Sequence, residues 1–198
     1  MQEPQIDIEA LKKDENFLAD MKKIEEEMYQ NKSIEKGYML LGTKMAIQAS
    51  EDEINDIFTF IVNQAFDVLA DKLTRHEGFS INNPEELATA RAIYEHGIQR
   101  YSENDIKGAK EIFLVLSHTL DDEDLKESMM IHACAVMAGH SFDDFIDNLA
   151  DTSGIDEMNP TAFFIQDFVQ PKDILLQMFG KYVKLGESEL KVLEKKES

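Results

Sequence analysis

The sequence predicts an all-α fold, and three observations predict it. Apolar residues recur at a spacing of about 3.6 over most of the chain, β-branched runs are few, and only four prolines interrupt it. Turn-forming clusters fall between the periodic stretches rather than inside them. Apolar residues make up 43% of the 198, enough to bury the core of one domain with a helical extension. The order of the elements then suggests an N-terminal helical region over 1–84, a repeat domain over 85–186 and a charged tail over 187–198.

The first predicted helix, about 7 to 30, is highly charged, with Ile8, Leu11, Leu18, Met21 and Ile24 as a thin apolar stripe. Such a helix is either solvated and loosely docked or an arm for a partner, including a second copy that would make a homodimer. A second helix covers about 34 to 49. The third opens on Ser50 with Glu53 three residues later, a capping box, and carries Ile54, Ile57, Phe58, Ile61, Val62, Ala65, Phe66, Leu69 and Leu73 on one broad core face. The turn HEGFSINNP follows, ending with Asn83 as cap and Pro84 at the first helical position.

From there the pattern repeats. Helix starts near Leu87, Asp124 and Asn159 lie about 35 residues apart, and each opens a pair of helices, a period typical of tetratricopeptide repeats. The three pairs are 85–102 with 105–119, 122–139 with 141–151, and 160–168 with 171–184. In the first, Gly97 is the small residue that lets two helices approach, with Ala109 facing it. Phe113 and Leu116 follow Ala109 on the same face and close the core between repeats, while Asp105 caps the second helix after the break SEND. Ala133, Gly139 and Phe142 echo the arrangement more loosely.

The pattern Ile93-Tyr94, Gly97, Tyr101, Ala109, Phe113 and Leu116 resembles the first tetratricopeptide repeat of the class II chaperones of type III secretion. MMIHACAVMAGHSFDDFI is similar to that family's second repeat, and NPTAFFIQDFVQPKDILLQMFGKYVKLG would be the third. The likeness covers about residues 85 to 186. It implies a cytoplasmic, non-enzymatic chaperone that holds an extended segment of an apolar secreted translocator in a concave groove. Matched to this sequence, the groove residues are Tyr94, Ile98 and Tyr101, with Ile106 at the turn and Ile131 in the second repeat. Tyr94, Ile98 and Tyr101 recur at four and three, so they share one helix face. Tyrosine brings a flat apolar body and a hydroxyl for peptide backbone. That face is either such a groove or simply core.

Composition narrows the alternatives. A net charge of -20, from 40 acidic and 20 basic residues, repels phosphate backbones and speaks against nucleic acid as a partner. One cysteine, Cys134, allows no internal disulfide and suits a reducing compartment. The start MQEPQIDIEALKKDE lacks the basic and apolar regions of a signal peptide, and no apolar run nears the roughly 20 residues that span a bilayer, so stable membrane insertion is not expected. Both points suggest a cytoplasmic protein. His132 and His140 flank Cys134 with Asp143 and Asp144 nearby, yet the spacing fits no familiar zinc pattern and residues two apart on a helix diverge. DDEDLKE lacks the glycine of a calcium loop. Neither metal nor other cofactor is expected. Met129, Met130, Met137 and Met178, among ten methionines, are gap fillers or an adaptable binding surface. No nucleophile motif, phosphate loop or spaced carboxylate pair stands out, so the expected function is binding: chaperoning first, a general tetratricopeptide scaffold or secretion regulator second.

Overall fold

A computed structural model describes residues 7–154, 156 and 158–196. Among them are ten helices and no strand, apart from two isolated β-bridges. The chain forms two compact units that divide between Asp67 and Val68. This differs from the expected boundary at 84, because the division falls inside one helix.

The first unit contains α1 (Ile8–Leu11), α2 (Glu15–Asn31), α3 (Ile34–Ala46) and the first two-thirds of α4 (Glu51–Arg75). The single helix predicted for 7–30 is broken at Lys12–Asp14, where the Asp14 side chain accepts hydrogen bonds from the backbone N–H groups of Asn16 and Phe17 and starts a new helix. Met28, Ile34, Leu40 and Ile61 are fully buried and form the unit's core. The Ser50 capping box forms as predicted: the Ser50 hydroxyl accepts from the Glu53 N–H, and the Glu53 carboxylate accepts from the Ser50 N–H, both at 3.3 Å. Lys44 adds an ion pair at 2.5 Å, and these donors hold the Glu53 carboxyl down at about 2.

The second unit contains the end of α4, then α5 (Pro84–Ser102), α6 (Ile106–Thr119), α7 (Glu123–Ala138), α8 (Phe142–Asn148), α9 (Lys172–Met178) and α10 (Gly180–Lys196). The turn after α4 belongs here because it is stitched to the α6–α7 junction. Phe79, fully buried, donates its N–H to the Thr119 carbonyl at 2.7 Å and accepts from the Asp121 N–H at 3.0 Å. Lys72 pairs with Glu86 at 3.1 Å. Asn83, Asp105, Asp122 and Ser141 each cap the helix that follows, and Gly139 ends α7 at φ 88°, a conformation glycine adopts without strain.

α7 is the central element: nine of its residues, from Leu125 to Val136, are buried. It packs on α6, α9 and α10. Lys172 ties α9 to it through the Asp124 carboxylate at 2.6 Å, and Lys110 ties α6 to Glu189 of α10 at 2.6 Å. Residues 187–196 are thus part of a docked helix rather than a separate tail. Met129 is fully buried and Met130 and Met137 half-buried beside Gly186, whereas Met178 is exposed.

The two helix pairs 84–119 and 123–148 fall where the sequence places them, but the third does not. Residues 160–168 form turns rather than a helix. The Asn159 side chain accepts from the Thr161 N–H at 3.0 Å, a local turn that competes with helix initiation, and Gln170 precedes Pro171, which disfavours helical backbone there. Asp151 N–H to the Asp167 carbonyl and Val169 N–H to the Leu149 carbonyl, each 2.9 Å, cinch the segment into a strap that returns to the end of α8.

Candidate functional site

The strap lies against an aromatic cluster built by α5, α6, α7 and α8. Tyr94 and Tyr101 of α5 both touch Phe113 of α6, with ring centroids 6.1 and 6.3 Å apart. Tyr101 continues to Phe142 and Phe145 of α8, at 5.6 and 5.9 Å. His132 of α7 sits in the middle, 5.0 Å from Phe113, 5.6 Å from Tyr94 and 4.6 Å from Phe145. The strap contributes Phe164, edge-on to Tyr94 at 5.0 Å, and Phe168, 6.0 Å from His132 and 6.4 Å from Phe145. At its margin, Arg91 lies over the Phe163 ring at 5.2 Å.

One hydrogen-bond chain threads this cluster. The Ser128 carbonyl, one turn before His132, can only accept, so Nδ1 of His132 carries the proton and donates to it at 2.7 Å. Nε2 is then an acceptor for the Tyr94 hydroxyl at 3.2 Å, and the Tyr94 oxygen accepts the backbone N–H of Ile165 at 3.0 Å. The chain thus runs from the strap backbone through Tyr94 and His132 to α7, and no member is left unpaired. Complete burial holds His132 down at about 4, so it is neutral in this setting, and burial also raises the Tyr94 hydroxyl. Tyr101 donates to the His140 carbonyl at 2.7 Å, at the turn where Asp144 engages His140.

Tyr94 and Tyr101 are 2% and 1% exposed and Ile131 is fully buried, so these three line no open groove in the free protein. The groove assignment is corrected to a covered core face: the strap covers Tyr94 through the Phe164 ring and the Ile165 N–H, and Phe142 and Phe145 of α8 cover Tyr101. Ile98 is half-buried, and only Ile106, 41% exposed at the start of α6, faces water substantially. The packing residues Gly97, Ala109, Phe113 and Leu116 are all buried. Gly97, however, meets Ile112 and Phe113 rather than Ala109: a Cβ there would lie 2.8 Å from Ile112 Cγ2 and 3.0 Å from Phe113 Cε1.

Sequence reasoning missed the parts played by His132, Phe145, Phe164 and Phe168. Ser128 four residues before His132, and Phe164 and Phe168 four apart, were the available signals. The Ile165 N–H, which carries no side-chain signature, was invisible. Chemically the cluster offers ring faces and edges, the Tyr94 and Tyr101 hydroxyls, and a neutral imidazole whose two nitrogens are both engaged. Burial pushes the Cys134 thiol up to about 12, which leaves it unreactive as a nucleophile. Among the described residues, no three histidine, cysteine or acidic side chains converge on a metal position, and no helix is long and apolar enough to cross a membrane. No protein-family model, curated protein or solved structure matches the chain.

Proposed function

We propose that the protein is a non-catalytic chaperone whose second unit works in the manner of tetratricopeptide-like repeats, holding an irregular segment of an apolar exported protein, of the secreted-translocator kind, against α5 and α7. The observation that supports this reading is the seating of residues 161–168. Their backbone is neither helix nor strand, yet it is recognised through the Ile165 N–H at 3.0 Å and through two buried or half-buried rings. A surface that recognises main chain plus alternate apolar side chains is what capture of an unfolded segment requires. Burial of such a segment stabilises the complex by about 25 cal/mol per Å² before the cost of ordering it. The acidic exterior keeps the complex dispersed in the cytoplasm.

A scaffold joining two soluble proteins is the second reading, and one observation favours it. A cleft of about 760 Å³ opens between the end of α4, α6 and α10, with Leu73, Leu114 and Val192 in its wall and Glu77 and Glu111 beside them. Co-expression separates the two. Under the chaperone reading, the protein that co-purifies at equal stoichiometry precipitates when made alone and stays in solution when made together with this chain. A partner equally soluble without it sinks the chaperone and leaves the scaffold.

A further inference from the structure

We infer that residues 158–170 are the resident ligand of the α5–α7 face, and that the face takes in their place a non-helical segment with two aromatic side chains four residues apart. The proposal rests on the binding reading above and names what that site recognises.

Everything the strap gives the face can be supplied by a separate peptide. Phe164, 3% exposed, meets the Tyr94 ring; Phe168 meets His132 and Phe145; the Ile165 N–H is donated to the Tyr94 hydroxyl. None of these contacts involves the strap's covalent attachments. Its internal shape is local: the Asp151 carboxylate accepts from Ser153, Asp156 from Met158 and Asn159 from Thr161, each between neighbours two residues apart. The base is held by only two backbone bonds, Val169 N–H to the Leu149 carbonyl and Asp151 N–H to the Asp167 carbonyl; both must open for Phe168 to leave the face, whereas Phe164 and Ile165 lie outside them. Both shoulders of the strap present apolar side chains to water, Met158 at 88% and Val169 at 63% exposure, where an arriving apolar segment would first make contact.

A tethered ligand competes at the high effective concentration its loop gives it. An incoming segment therefore binds weakly while the strap is seated and strongly once the strap is weakened. The probe is a fluorescein-labelled peptide of residues 158–170, MNPTAFFIQDFVQ, titrated by anisotropy into the full chain. With Phe164→Ser and Phe168→Ser together in the protein, the peptide is expected to bind at least tenfold tighter than to the unaltered chain. The same peptide with serine at the positions of Phe164 and Phe168 is expected to bind neither protein. A helical double variant that binds the peptide no better than the unaltered chain overturns the proposal. If the double variant does not fold, Ile165→Pro removes the strap's N–H donor while leaving both rings, and must itself raise peptide affinity; no gain overturns the proposal equally. Peptide binding without any apolar protein kept in solution leaves the self-ligand standing and removes the chaperone reading. An apolar partner kept in solution by a chain that never gains peptide affinity does the reverse.

Discussion

His132 shows how one residue fixes the chemistry of the site. With both ring nitrogens engaged and aromatic rings on several sides, a second proton has no acceptor and no solvent. Its proton affinity falls from an ordinary 6.5 to about 4 on folding. The unfolded chain then binds one more proton than the folded chain between those values, so stability rises with pH across that window and is lost as pH falls through it. That difference contributes on the order of 3 kcal/mol. His132→Gln keeps a donor and an acceptor without titrating. Its denaturant midpoint is expected to vary less than that of the unaltered chain between pH 6.5 and 4, with the two difference curves parallel above 6.5. A histidine at this position was legible in the sequence as a residue to explain, but its environment was not. Ser128 lies one turn before it, Tyr94 reaches it from 38 residues away, and Ile165, which bonds that tyrosine, is 71 residues from Tyr94 in the chain.

Helices were the most legible level, because their starts are written in neighbouring residues. Asn83-Pro84, Asp105, Asp122 and Ser141 each place an oxygen within reach of the next turn's free N–H groups, and each begins a helix where expected. The close approach of α5 to α6 was legible too, in Gly97, although the side chains it meets, Ile112 and Phe113, were not. Replacing it sets two effects against each other. Alanine gains about 1 kcal/mol of helix propensity, whereas forcing a methyl into a filled contact costs about 1–3 kcal/mol. Contact distances of 2.8 and 3.0 Å, against a β-branched neighbour and a fully buried ring, decide for the second. Gly97→Ala is expected to lower stability by about 1 kcal/mol. Gly42→Ala in α3, where nothing lies within 4 Å, is expected to raise it; urea unfolding reads both. Residues 160–168 mark the limit of local reading. Their path is set by a hydrogen bond between residues 71 apart and by rings on three other helices, and no local pattern encodes that.

At the scale of the whole molecule, two helical units share a strongly acidic exterior, and the second carries an aromatic face closed by its own chain. The all-α class followed from periodicity, whereas the α5 face read as a groove is covered in the free protein. Tyr94 lies beneath Phe164 and Ile165 of the strap, so capture of a segment at this face, as proposed, requires the strap to move. Amide hydrogen exchange at Ile165 tests that coupling most directly. In the free protein this N–H is held by the Tyr94 hydroxyl and is expected to exchange slowly. In the complex with the co-purified apolar partner, Ile165 is expected to lose its protection while the amides of α7 keep theirs. Unchanged protection at Ile165 in a saturated complex would contradict it and place the partner elsewhere on the molecule.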